Sequence, residues 1–123
     1  MNEPVRALVV EDTQILGRLI TSSLRGLGCE IESSARYADA LRRLQTGTAD
    51  LAIIDIYLPD GSGIELVRQA RKLDTSPAII VLTADARLGT LQEAKEAGAD
   101  VVMTKPFRRD ELREAVQQLI DRD

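Results

Sequence analysis

Five residues of this 123-residue sequence have the types and the spacing to do chemistry together: Glu11, Asp12, Asp55, Thr83 and Lys105. Glu11-Asp12 follows the apolar run Val5 to Val10, and Asp55 interrupts the run Leu51 to Ile56. Thr83 follows Ala78 to Leu82, and Lys105 comes shortly after Val101 to Met103. If each run is a strand and the strands are parallel, all five groups meet at one edge. Three carboxylates a few ångströms apart repel by about 4 kcal/mol per pair at an effective dielectric near 20. Lys105 offsets one charge, and a hard, oxygen-seeking cation such as Mg²⁺ offsets more. Phosphoryl transfer needs a nucleophile in line and positive charge around the equatorial oxygens, with little other covalent work. A carboxylate nucleophile is already ionised near pH 7, so it needs no general base.

Taken singly, each group has an ordinary structural role. Glu11-Asp12 before a helix serves as a cap and dipole partner. Thr83 is commonplace in a strand, and Lys105 before Pro106 is a helix-entry residue. Asp55 after apolar residues is less comfortable, because burial penalises an unpaired charge. Asp60-Gly61 after Pro59 is turn chemistry and receives no catalytic role. The coincidence of four strand ends, each carrying a group that one phosphate–Mg²⁺ site needs, raises the set above its members.

The elements that must position these groups follow from periodicity. Val5 to Val10, Leu51 to Ile56, Ala78 to Leu82 and Val101 to Met103 are nearly continuous apolar runs, as in strands covered on both faces. Glu30 to Ala35 is more polar and reads as an edge strand. Between the runs the spacing becomes helical. Leu16, Leu19, Ile20, Leu24 and Leu27 make one face from Ile15 onward, with Gly28 as the stop. Leu41 and Leu44 mark a second helix ending at Gly47; Ile64, Leu66, Val67 and Ala70 mark a third. Leu88, Leu91, Ala94 and Ala97 form a thinner stripe before Gly98, expected of a lightly anchored helix. Leu112, Val116, Leu119 and Ile120 follow Pro106. Five strand–helix units of roughly 25 residues predict a doubly wound α/β fold with a five-stranded parallel sheet. Ligands in such sheets sit beyond the carboxyl ends of the strands, near a topological switch point.

Composition bounds the rest. One domain spanning 1–123 is expected, large enough to bury a core without disulfides or structural metals. Cys29 is the only cysteine and there is no histidine. Internal disulfides, His-based triads and His zinc sites are thereby excluded, and a cytoplasmic location is expected. Cys29 reads as a small buried hydrophobe. The net charge of −4 disfavours direct nucleic-acid binding. No apolar stretch has transmembrane length, and Met1-Asn2-Glu3-Pro4 lacks the basic and apolar regions of a signal peptide.

The ordered set Val9-Val10-Glu11-Asp12, Asp55-Ile56-Tyr57-Leu58-Pro59-Asp60-Gly61, Leu82-Thr83-Ala84 and Lys105-Pro106-Phe107 resembles the receiver domain of two-component response regulators. The resemblance covers essentially the whole chain, in the family's order and spacing. It implies a flavodoxin-like (βα)5 fold with strand order 2-1-3-4-5 and a phosphoacceptor at Asp55, charged from a donor phosphohistidine. It also implies Mg²⁺ bound directly by Asp12, through water by Glu11, and by Asp55 and the backbone carbonyl of Tyr57. Thr83, Lys105 and the backbone N–H of Ala84 would hold the phosphoryl group. The implied partners are a histidine kinase or histidine phosphotransfer protein as donor, and a downstream protein or output domain. The domain would catalyse only its own phosphorylation and dephosphorylation.

Three positions qualify the resemblance. The aromatic expected three residues before the lysine is replaced by Val102, which offers no ring to swing inward. The signal must then leave through the loop after Thr83 and helix repacking, or be weaker. Tyr57 and Asp85 each stand two residues past a site residue, at places that in the family influence water access and phosphoryl lifetime. A degenerate receiver acting as a phosphorylation-independent binding module is the competing expectation. A haloacid dehalogenase-like hydrolase needs a second Asp where Tyr57 stands, and Val10-Glu11-Asp12-Thr13 lacks a glycine-rich dinucleotide turn. Whether the chain is a stand-alone receiver or part of a longer protein is open; it reaches Asp123 just past the last helical segment.

Overall fold

Strand pairing in the computed structural model, which describes residues 3–122, places every principal strand parallel to its neighbours. Met1, Asn2 and Asp123 lie outside the described residues, and with them part of the signal-peptide reading. Five parallel strands form one sheet: β1 (Val5–Val10), β2 (Cys29–Ser34), β3 (Leu51–Asp55), β6 (Ala78–Thr83) and β7 (Val101–Thr104). Their order is β2-β1-β3-β6-β7, the expected 2-1-3-4-5 once the short hairpin of β4 (Tyr57–Leu58) and β5 (Gly61–Ser62) is set aside. The helices are α1 (Gln14–Ser23), α2 (Tyr37–Gln45), α3 (Gly63–Arg71), α4 (Leu88–Ala97) and α5 (Arg109–Ile120).

The two-residue side-chain period of the strands divides the core between the faces. Ala7 and Val9 of β1, with Ile53, Ile80 and Leu82, pack against Ile20 of α1 and Leu112 and Val116 of α5. Leu8 and Val10, with Ala52, Ile54, Ile79 and Val81, pack against α2, α3 and α4 through Leu44, Leu66, Val67, Ala70 and Ala94. Each fully buried Leu, Ile or Val contributes roughly 1.5–3 kcal/mol, so the two slabs supply most of the drive to fold. Chain order reverses direction across the sheet between β1 and β3, which puts the crevice beyond Val10 and Asp55 at the switch point.

The structure corrects the sequence reading in four places. The helix read from Ile15 to Leu27 ends at Ser23, where the Ser22 and Ser23 hydroxyls both donate to the carbonyl of Leu19. Such back-bonding competes with helix propagation. Leu24 stays in the core but from a turn, and Gly28 takes its left-handed φ of 75° after that turn. Ile15, read as the start of the apolar face, is 80% exposed. The run Val101 to Met103 forms the second edge strand and is only half-buried, because β7 pairs with β6 alone.

Asp60 does more than turn the chain. Its carboxylate accepts hydrogen bonds from the backbone N–H of Tyr37 (2.6 Å) and Ala38 (3.1 Å), at the first turn of α2. These two bonds hold its carboxyl below the usual carboxylate range. The residue thus caps α2 from the β4–β5 hairpin and ties that hairpin to a second helix. Asp60→Ala is expected to lower the urea denaturation midpoint. An unchanged midpoint would show that the cap contributes nothing.

Candidate functional site

The sheet delivers its acidic and cationic groups to one edge, as parallel strands must. Glu11 follows β1, and its N–H donates to the carbonyl of Ser34, prolonging the β1–β2 pairing by one residue. Asp55 is the last residue of β3, opposite Leu82, and is 7% exposed. Thr83 ends β6 fully buried, and Lys105 follows β7 with its backbone N–H donating to the Thr83 carbonyl at 2.7 Å. The Lys105–Pro106 peptide is cis.

Glu11, Asp12 and Asp55 each present a carboxylate oxygen within 4.8 Å of the others. Lys105 Nζ stands between two of them, 3.1 Å from Glu11 Oε1 and 3.3 Å from Asp55 Oδ2. The other Glu11 oxygen accepts the N–H of Thr13 at 3.0 Å. Burial pushes the Glu11 carboxyl above its ordinary value; the Thr13 hydrogen bond opposes that, the Asp55 charge adds to it and Lys105 offsets it again. When ionised, three carboxylates and one ammonium leave two negative charges in a largely buried crevice. All-oxygen donors and a deficit of two charges fit a divalent hard cation, and exposed Asp12 leaves a side open for the waters that Mg²⁺ retains.

Gly63, the first residue of α3, sets how closely that helix approaches the end of β3. Its N–H donates to the Ile56 carbonyl at 2.6 Å, and a Cβ built there would stand 2.0 Å from the Asp55 carbonyl oxygen. Ser62 caps the helix by accepting from the N–H of Ile64 at 3.2 Å. Neither Gly63 nor Ser62 stands out from sequence alone; the only signal is a Ser-Gly pair opening an apolar helical run.

Tyr57, Ala84 and Asp85 lie on the segments that leave the site. Tyr57 is in β4, two residues past Asp55, and is 57% exposed; Ala84 and Asp85 begin the loop from β6 to α4. The Tyr57 hydroxyl donates to Asp85 Oδ2 at 2.7 Å, so the two positions expected to influence water access are in direct contact. Arg87 and Thr90, to which the sequence reading assigned nothing, bind the same carboxylate. Val102 is half-buried on β7 opposite Val81.

A parallel sheet in this strand order, with an acidic triad, a lysine and a buried threonine at its carboxyl edge, defines a receiver-type phosphoacceptor switch. The family model of the response regulator receiver domain matches residues 7–117, and the chain belongs to that family. The transcriptional regulatory protein PhoP of Escherichia coli K12 is 34% identical over 119 residues, which are 97% of this chain and 53% of PhoP. The chain thus spans about half the length of the curated relatives it matches. A CheY-like receiver domain protein from Methanospirillum hungatei JF-1 superposes with a TM-score of 0.89 at 30% identity, covering 96% of this chain and 94% of that one. The receiver domain of a sensor histidine kinase from Pseudomonas aeruginosa PAO1, with a magnesium ion coordinated in its active-site cleft, gives 0.87 at 30% identity, with 97% and 99% covered. Among the described residues no helix is long and apolar enough to cross a membrane.

Proposed function

We propose that Asp55 accepts a phosphoryl group from a phosphohistidine of a histidine kinase or histidine phosphotransfer protein, and that its phosphorylation changes partner binding. The observation that carries this reading is the placement of Asp55: a nearly buried carboxylate at a strand end, with Lys105 at 3.3 Å and two further carboxylates within 4.8 Å. In the transfer, a lone pair of the Asp55 carboxylate forms the new O–P bond. The donor P–N bond breaks, and its electron pair stays on the imidazole nitrogen. Lys105 stabilises charge on the equatorial oxygens, and the Thr83 hydroxyl and the Ala84 N–H donate to them. Asp12, Asp55, the Tyr57 carbonyl and, through water, Glu11 would hold Mg²⁺. When bound, Mg²⁺ supplies the charge neutralisation that lets an anionic donor approach an acidic crevice.

The exposed apolar pair Ile15 and Leu19 on α1, about one and two turns past Asp12 and flanked by Gln14, Gly17 and Arg18, suits docking of the donor beside the site. Residues 1–123 act as one receiver unit in the cytoplasm, and its response is read by an output domain or a separate protein. Nucleic-acid contact is not assigned to this acidic domain.

Incubation with Mg²⁺ and acetyl phosphate, followed by intact-mass measurement, tests the proposal. One phosphoryl increment is expected on the wild-type chain and none on Asp55→Asn. No increment on the wild type under any condition would replace this reading with a phosphorylation-independent binding module, an alternative that the complete residue set argues against and that the absence of a ring at Val102 keeps open. Rapid multiple turnover of the donor would point to a hydrolase.

A further inference from the structure

Two segments flank the acidic crevice: the end of β2 beside Glu11, and the β4–β5 hairpin that carries the Tyr57 carbonyl. Both are tied to one turn of helix, residues 37–39 of α2, which supplies no carboxylate to the cluster. The hairpin is small. It pairs only Tyr57 with Ser62 and Leu58 with Gly61, and two such short strands are marginal on their own. Its tip is held from outside. Arg36, the N-cap residue of α2, provides no side-chain cap, and the Asp60 carboxylate takes that place. One oxygen accepts the Tyr37 N–H at 2.6 Å and the other the Ala38 N–H at 3.1 Å. The half-buried Tyr37 ring packs directly on the hairpin backbone: a Cβ built at Gly61 would stand 3.0 Å from its Cγ.

The other flank is tied to the next residue of the same turn. The Glu11 N–H donates to the Ser34 carbonyl at 2.9 Å, and the buried Ser34 hydroxyl donates to Asp39 Oδ2 at 2.8 Å. Arg43 Nε holds the same Asp39 oxygen at 3.0 Å, and Glu32 holds Arg43 from β2 at 3.0 Å. Tyr37, Ala38 and Asp39 thus join both flanks of the crevice through consecutive residues.

We propose that the first turn of α2 sets the spacing of the cation site, with Asp60 and Asp39 as positioning residues. Asp60 fixes the hairpin and so the Tyr57 carbonyl; Asp39 fixes Ser34 and so Glu11. This rests on the reading of the crevice as a Mg²⁺ site. Mg²⁺ demands near-ideal octahedral geometry, so a ligand carbonyl on a drifting hairpin loses affinity although no ligand has been removed. Groups behind the coordinating atoms typically set metal affinity by about 10–100-fold. Asp60 and Asp39 belong to that outer layer, each acting through a backbone segment.

Amide NMR during MgCl₂ titration reads the affinity, and amide hydrogen exchange at residues 57–62 in metal-free protein reads the hairpin. Asp60→Ala is expected to weaken Mg²⁺ binding about tenfold and to speed exchange at 57–62 by a similar factor. Asp60→Asn loses the charge but keeps one acceptor, and should recover most of the affinity. Asp39→Ala should weaken binding by a smaller factor, because it reaches Glu11 only through Ser34; it carries the test if Asp60→Ala does not fold. Asp100→Ala is the control. It removes a carboxylate that accepts the Ile79 N–H at 2.8 Å, at the amino ends of β6 and β7. It should lower the urea midpoint and leave Mg²⁺ affinity unchanged. Wild-type affinity in Asp60→Ala overturns the proposal. So does an Asp60→Asn as weak as Asp60→Ala, which would make the effect one of charge. An equal loss in Asp100→Ala would make it general destabilisation and overturn the proposal as well. A wild type that binds no Mg²⁺ refutes the cation reading instead, and the exchange comparison then decides whether α2 holds the hairpin.

Discussion

Gly63→Ala is expected to destabilise the fold by more than about 3 kcal/mol and to abolish phosphoryl acceptance in whatever fraction stays folded. The added methyl would lie 2.0 Å from the Asp55 carbonyl oxygen and 2.8 Å from the Asp55 carbonyl carbon and the Ile56 Cα. All three are backbone atoms at the end of a central strand, and none can swing aside as a side-chain tip does. Relief requires α3 to back away from β3, which breaks the 2.6 Å bond from the Gly63 N–H to Ile56 and opens the packing of Leu66, Val67 and Ala70. The displaced strand end is the one that carries the Asp55 carboxylate. Urea denaturation reads the stability and intact mass after acetyl phosphate reads the chemistry. A wild-type midpoint with a full phosphoryl increment would mean that α3 has slack at this contact.

Lys105→Met is expected to lower stability by about 2 kcal/mol in metal-free buffer, or roughly 8 °C in Tm, and to slow phosphorylation at least about tenfold. The lysine is the only cation within reach of the Glu11 and Asp55 carboxylates among the described residues, and its removal leaves buried acidic charge uncompensated. Methionine keeps much of the packing of the aliphatic stem, so the loss reports charge. Mg²⁺ should restore more stability to this variant than to the wild type, because the ion then has no ammonium to compete with.

The pH dependence has a definite sign. Glu11 binds its proton more tightly folded than unfolded, so metal-free stability falls as pH rises from the ordinary glutamate range through the folded value. Lys105 works against that upward displacement. Its replacement should extend the decline to higher pH. Urea midpoints measured between about pH 4 and 8 check this against the reference glutamate value. A variant whose midpoint runs parallel to the wild type would show that Lys105 does not neutralise Glu11.

Much of the fold is legible because a parallel sheet covered on both faces leaves a simple trace. Leu51–Asp55 and Ala78–Thr83 are strands with no exposed residue, and their sequences are apolar almost without interruption. Where burial and secondary structure part company, the trace misleads. Leu24 and Leu27 continue the helical spacing of α1 yet enter the core from a turn, since two adjacent serines end the helix first. Val101 to Met103 looks like an interior strand but lies on an edge, because α4 and α5 flank a strand with a neighbour on one side only. The β4–β5 hairpin, two residues per strand, is too short for any period to register.

The groups gathered at the sheet edge follow the same division. Glu11, Asp12, Asp55, Thr83 and Lys105 could be grouped from sequence because each adjoins an apolar run, and parallel strands carry all such ends to one side. Sequence by itself therefore determined which groups gather at the carboxyl edge of the sheet. Tertiary structure alone decided what those groups depend on: the methyl-free approach of Gly63 beneath Asp55, the reach of Asp60 to α2, and the closing of Tyr57, Arg87 and Thr90 around Asp85. The reason is physical. Period and burial are local averages that survive in a linear sequence, whereas a hydrogen bond between residues 28 positions apart, such as Tyr57 to Asp85, exists only when two loops are brought within 3 Å.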